Sequence, residues 1–127
     1  MKPKIKLAIV GSRSFNDLEA FNKYMALLND WFEIIQIISG GAKGADTFGE
    51  EYAIVNNIPA MIFRADWKKY GKKAGYIRNV DIIKNCDVCI AFWDGRSKGT
   101  EHDLELCETY SKPCYIYNST DESFHKQ

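Results

Sequence analysis

The sequence predicts an α/β domain of three layers, a mostly parallel five-stranded sheet in the order 3-2-1-4-5 with helices on both faces. Three observations predict it. Five short apolar runs, at residues 5–10, 34–38, 60–63, 88–92 and 114–117, have the length and composition of buried strands. Stretches with helical spacing alternate with them, and strand–helix–strand alternation implies parallel pairing through right-handed crossovers. The exits of the first, second and fourth runs open into glycine-bearing loops, as the carboxyl edge of such a sheet requires.

The first strand, Ile5-Lys6-Leu7-Ala8-Ile9-Val10, ends at Gly11-Ser12-Arg13-Ser14-Phe15. Asn16 followed by Glu19 makes a start like a capping box, and Leu18, Phe21, Met25, Leu28 and Phe32 then recur at helical spacing. After the second strand comes Ser39-Gly40-Gly41-Ala42-Lys43-Gly44-Ala45-Asp46, then a helix carrying Ala45, Phe48, Tyr52 and Val55 on one face. Asn56-Asn57 stops that helix, and Pro59 prevents its return before the third strand. The connection at 64–79 is the longest, and it interleaves Trp67, Tyr70 and Tyr76 with four lysines. A helix follows from about Tyr76 through Val80 and Ile83 to Asn85. The fourth strand exits through Trp93-Asp94-Gly95-Arg96-Ser97-Lys98-Gly99-Thr100, and Glu101 begins a helix with Leu104, Cys107 and Tyr110 facing inward. Lys112-Pro113 leads into the last strand. The domain is read as residues 1–117, with a loose polar tail at 118–127.

Composition narrows the partners. Seventeen basic and seventeen acidic side chains cancel, so no bulk field draws the chain to nucleic acid or to an anionic membrane, and any basic site must be local. No apolar run approaches the roughly 20 residues of a membrane span, and the Met1-Lys2-Pro3-Lys4 start does not resemble a leader, so a cytoplasmic location is expected. Cys86 and Cys89 have the two-residue gap of a metal or redox pair, which Cys107 and Cys114 could complete. The competing reading is four reduced, buried thiols, since Cys89 sits inside a strand pattern. No metal site is assigned.

A parallel sheet gathers residues 11–15, 40–46, 64–79 and 93–100 along one rim, where a ligand crevice forms at the reversal of winding. Glycines there let backbone amides approach a phosphate, and helix starts favour negative charge. Gly11, Gly40, Gly41, Gly44, Gly95 and Gly99 are the candidate cradle positions. Arg13 would clamp a phosphate through its planar fork, helped by Ser12, Ser14 and Lys43. Asp46 either meets a ribose or complements its helix dipole. Trp67 and Tyr70 would stack on a base, Arg78 and Asn79 would reach the crevice, and Asp94, Ser97, Lys98 and Thr100 would form the second half of the cradle. Glu101 and Asp103 are the acidic catalytic candidates, with Arg78 or Arg13 as their cationic partner; their structural alternative is stabilising a helix start. His102 is read as an exposed first-turn histidine. Magnesium would arrive only with a phosphate ligand.

These four loops, in this order, resemble the successive motifs of the SLOG superfamily, and most of all its YspA branch, related to YpsA, of small Rossmann-like proteins from bacteria and phages. The resemblance implies a nucleotide or nucleotide-derived ligand, held by a sensor, a sequestering protein or a processing enzyme. The LOG-type phosphoribohydrolases of the same superfamily carry Pro-Gly-Gly-x-Gly-Thr-x-x-Glu. Here Gly99-Thr100 match the Gly-Thr, Asp103 stands where the glutamate would be, Gly95 replaces the proline, and Arg96 and Ser97 replace the paired glycines. That likeness implies a hydrolase of a nucleotide glycosidic or phosphate bond as the alternative. The DprA proteins share the superfamily too, which implies single-stranded nucleic acid as a third possible partner. A homodimer or higher oligomer is expected from the same resemblance.

Overall fold

Side chains along the central strands point alternately into two cores, and this alternation sets the three layers. The structure, a computed structural model, describes residues 1–127. Six strands, β1 (Lys4–Gly11), β2 (Glu33–Ser39), β3 (Ala60–Ile62), β4 (Val88–Trp93), β5 (Cys114–Asn118) and β6 (Ser123–Lys126), form one sheet in the order β3-β2-β1-β4-β5-β6. All neighbouring pairs are parallel except β5 with β6. Leu7, Ile9, Ile37, Ile90 and Phe92 enter one core, under α1 (Leu18–Trp31) and α2 (Ala45–Val55). Ala8, Val10, Ile38, Cys89 and Ala91 enter the other, under α4 (Ala74–Asn85) and α5 (Lys98–Thr109). A period of two with both faces apolar is what a fully covered parallel strand requires.

The first core is aromatic. Phe21, Tyr24, Met25 and Leu28 form the buried stripe of α1, and Phe21 packs 5.1 Å from Phe92 and 5.5 Å from Phe48, centroid to centroid. Each such side chain contributes about 1.5–3 kcal/mol when fully buried. The second core is built from smaller residues, which lets α5 lie close to the sheet. All four cysteines lie there, buried and with free thiols.

Several expectations are corrected. The tail is not loose: Asp121 accepts from the Ser123 amide and hydroxyl, Glu122 adopts φ 56°, and β6 folds back antiparallel on β5. Phe124, the one large apolar residue of that segment, anchors it by stacking 4.3 Å from Tyr24. Asp17, not Asn16, caps α1, accepting from the Ala20 amide at 3.0 Å, because its side chain is the one three residues ahead of a free amide. Val55 is exposed; Ala45, Gly49 and Ala53 form the inner face of α2, and a Cβ on Gly49 would lie only 3.1 Å from that of Ile9. The long connection contains a helical turn, α3 (Trp67–Tyr70), and a 3-10 turn at Gly71–Lys73. Helix α4 therefore starts at Ala74, two residues before Tyr76, α5 starts three residues before Glu101, and Tyr110 lies past the end of α5. No helix is long and apolar enough to cross a membrane.

Gly11 marks the tightest approach. A Cβ there would strike the Phe92 carbonyl and stand 2.7 Å from Ala45 Cβ, whereas one on Gly99 would meet nothing within 4 Å. We expect Gly11→Ala to lower unfolding free energy by about 1–3 kcal/mol and Gly99→Ala to stay within about 0.5 kcal/mol of wild type, measured by urea denaturation.

Candidate functional site

Winding reverses between β1 and β4, and at the carboxyl edge of these two strands the chain encloses a pocket of about 480 Å³. All four rim segments contribute to it. Gly11, Ser12, Arg13 and Ser14 come from the exit of β1, Ala42 and Asp46 from the approach to α2, Trp67, Lys72, Tyr76, Arg78 and Asn79 from the long connection and α4, and Ser97, Gly99, Thr100 and Asp103 from the start of α5. Gly40, Gly41, Lys43 and Arg64 line an adjoining depression that shares Arg13, Trp67 and Arg78 with the pocket. Gly44, Tyr70, Asp94, Gly95, Lys98 and Glu101 line neither. Sequence reasoning does not single out Lys72, Tyr76 or Arg64 as site residues; the only signal for them is their place in or beside the lysine-aromatic stretch.

Hydrogen bonds hold the rim in shape. Arg78 reaches back from α4, donating from Nη1 to the Gly40 carbonyl at 2.7 Å and from Nε to Asn79 Oδ1 at 3.0 Å. Asn79, buried, donates to the Gly99 carbonyl at 3.4 Å, so α4 ties the loop before α2 to the start of α5. Asp94 shapes the exit of β4: its Oδ1 accepts from the Arg96 and Ser97 amides at 2.8 Å each, and its Oδ2 from the Ser97 hydroxyl. Burial alone would raise the Asp94 carboxyl, but these bonds acting together hold it below its ordinary pKa. Ser12 bridges the two sides, accepting from the Asp94 amide at 3.1 Å and pairing with the Ser97 hydroxyl at 3.0 Å. Gly44 is at φ 79°, with its backbone packed against the Ser12 carbonyl, where only a residue without Cβ fits. His102 is half-buried, not exposed: its ring meets Tyr76 edge-on at 4.7 Å, its Nδ1 lies 3.3 Å from Asn79 Nδ2, and burial lowers its pKa.

Two features set the chemistry. The first is at the helix starts. Asp17 caps α1 and Asp66 caps α3, but Gly44 ahead of α2, Lys73 ahead of α4 and Ser97 ahead of α5 give no side-chain cap to the first amides. The starts of α2 and α5 border the pocket, with Asp46 from the one and Ser97, Gly99 and Thr100 from the other in its lining, and a helix start carries free amides and a positive dipole end. The second is a pair of buried carboxylates on its floor. Asp46 is 7% exposed; burial pushes its carboxyl up to about 6, against the Ala42 amide, which donates to Oδ2 at 3.1 Å, and the Arg78 guanidinium. Asp103 is 5% exposed, and burial together with the charge of Asp46 raises it well above the ordinary carboxylate range, although Arg78 acts the other way. Its Oδ1 has no hydrogen-bond partner.

Both carboxyls keep a proton that an aspartate of the unfolded chain releases near pH 3.8. The native state then binds more protons than the unfolded state, so stability falls as pH rises above 3.8, to about 6 for Asp46 and further for Asp103. Unfolding free energy should therefore decline between about pH 4 and 7, by an amount on the order of 3 kcal/mol for Asp46 alone. In Asp46→Asn and Asp103→Asn the decline should be shallower, as read from urea midpoints across that range.

Comparison with known proteins agrees with this geometry at the level of family and fold. A protein of Mycobacterium phage D29, the gene 61 protein, is 42% identical over 83 residues, a match covering 61% of this chain and 66% of that protein. DNA processing protein A from Helicobacter pylori, in a structure describing its single-stranded DNA binding mode, superposes with a TM-score of 0.67 at 20% identity, over 88% of this chain and 64% of that one. DNA processing protein A (DprA) from Streptococcus pneumoniae superposes with a TM-score of 0.70 at 21% identity, over 91% of this chain and 50% of that one. The chain thus spans just under two thirds of the phage relative and half to two thirds of the two larger chains, whose likeness is one of fold. The family model of YspA and cpYpsA-related SLOG proteins matches residues 5–70, more than half of the chain and the segment holding the first two rim loops, and the protein belongs to that family.

Proposed function

We propose that the rim pocket binds a nucleotide or nucleotide-derived ligand. The observation that carries this reading is the meeting of two helix starts without side-chain caps over a floor that holds a buried carboxyl with an unpaired oxygen. Phosphate would sit against the amides of α2 and α5, with Arg13 and Lys72 as mobile counter-charges. The ribose would turn toward Asp46 and Asp103, whose carboxyls offer hydrogen-bond partners to its hydroxyl groups. Trp67 and Tyr76, both exposed at the mouth, offer flat apolar faces to a base. Asp103 would meet a ribose oxygen in its protonated form, as donor. The same proton would serve a leaving group if the bound molecule is hydrolysed, and Asp103 is then the acid of that step. Glu101 lies outside the pocket and takes no part in this scheme.

Calorimetry against nucleoside mono- and diphosphates and dinucleotides tests the site. Arg13→Ala should weaken binding of the responsive ligand at least about tenfold, equivalent to 1.4 kcal/mol. Unchanged affinity in that variant removes phosphate from this position. Asp103→Asn should abolish any glycosidic or phosphate cleavage while leaving binding measurable; turnover equal to wild type excludes Asp103 as the acid.

A second reading has one observation in its favour. Trp67 and Tyr70 are exposed beside Lys68, Lys69, Lys72 and Lys73 on the rim, an arrangement that would let successive bases stack along a strand, and the Helicobacter pylori protein of similar fold binds single-stranded DNA. Zero net charge and acidic groups on the floor weigh against it. Binding of a short oligonucleotide that falls steeply between about 50 and 200 mM salt would favour the strand; a ligand with only one or two phosphates gives a shallow slope.

A further inference from the structure

On the α4–α5 side of the sheet, away from the rim, three thiols converge. Cys89 and Cys114 are register partners on β4 and β5, and Cys107 comes down from α5 onto the same face. Their sulfur atoms lie within 4.8 Å of one another, and none of the three residues is more than 1% exposed. No other histidine, cysteine, aspartate or glutamate joins the group. Cys86 lies in the same core but turns its thiol to the Ile83 carbonyl at 3.3 Å.

We propose that Cys89, Cys107 and Cys114 form a three-sulfur site for a soft monovalent cation of the copper(I) class. Three observations select that ion. Thiolate sulfur is a soft donor and prefers soft metals. With three sulfurs in an apolar surround, the site lacks the fourth ligand that structural zinc almost always takes. The spacing is also right: an ion with metal–sulfur bonds of about 2.3 Å in a trigonal plane holds its sulfurs about 4 Å apart, so the side chains need to close by less than about 1 Å. Binding releases the thiol protons to solvent and leaves two excess negative charges, one of which Lys112 offsets; its ammonium donates to the Cys86 carbonyl at 2.7 Å beside the cluster. The site joins three elements that are separate in sequence, β4, α5 and β5. Asp103 precedes Cys107 by one turn of α5, so the ion would also stiffen the helix that carries the pocket floor. The proposal does not depend on the nucleotide reading.

The test is anaerobic titration of the reduced full chain with copper(I), supplied as its acetonitrile complex, against a chromophoric copper(I) chelator. One equivalent should be withdrawn from the chelator per chain, and X-ray absorption should show three sulfur neighbours at about 2.3 Å. Cys107→Ser and Cys114→Ser should lose affinity by about a hundredfold or more, while Cys86→Ser binds as wild type. Failure of the wild-type chain to withdraw copper, a sulfur count other than three, or full affinity in Cys107→Ser would each overturn the proposal. If the serine variants do not fold, the sulfur count of the wild-type complex decides alone.

Discussion

Strand β1 is paired on both edges, with β2 and β4, and covered on both faces, so its side chains have one register and one orientation open to them. A slip of one residue would send Leu7 and Ile9 into the tightly packed small-residue core and Ala8 and Val10 into the aromatic one. That constraint fixes where the chain leaves the sheet. Gly11 falls at the point where the Phe92 carbonyl and Ala45 close in from either side, and the next residue, Ser12, donates its amide to that same carbonyl at 2.9 Å. The exits of β1 and β4 are thereby locked together, and the pocket lies over the lock.

What surrounds the pocket shows a division of labour between side chains that shape it and side chains left free. Asp94, Ser12, Arg78 and Asn79 spend their hydrogen-bonding capacity on neighbouring loops. Arg13 and Lys72 remain at the surface with their charges mobile, while Asp103 keeps a buried oxygen unpaired. An unpaired buried carboxyl oxygen costs about 1–3 kcal/mol or more, and the second carboxyl, Asp46, adds to the strain by repelling its ionised form. Structure that stabilises only itself would have no use for this arrangement. A hydroxyl group donating to the Asp103 oxygen would relieve it.

The two cores differ for a related reason. Bulky rings pack under α1 and α2, whereas small residues under α5 leave room for its first turn near the sheet, with Thr100 and Asp103 in the pocket. Cysteine suits that second role because it is small, apolar and packs closely. The convergence of three sulfurs is a by-product of that packing which metal chemistry can exploit.

By itself the sequence determined the layers and the identity of the rim segments, because apolar period, strand length and glycine position are local properties written along the chain; the expected order of the first five strands agrees with the sheet, but pairing is decided between distant residues. It also located most of the pocket residues, since a parallel sheet sends every strand exit to one edge. The rest was decided by contacts between distant residues. Strand β6 exists because Phe124 finds Tyr24, 100 positions away, on the first core. Which residues of the long connection line the rim, Lys72 and Tyr76 in the pocket and Arg64 beside it, depended on how that segment folds, while Glu101 lies outside the pocket although Thr100 lines it. Whether Asp46 and Asp103 were ordinary helix-start acids or buried, proton-holding groups depended on how deeply α4 and α5 enclose them, and burial is a property of the assembled layers. The same holds for the thiols: the spacing of Cys86 and Cys89 suggested a pair, but Cys86 ends α4 with its thiol turned to the Ile83 carbonyl, and the sheet register and α5 bring Cys114 and Cys107 to Cys89 instead.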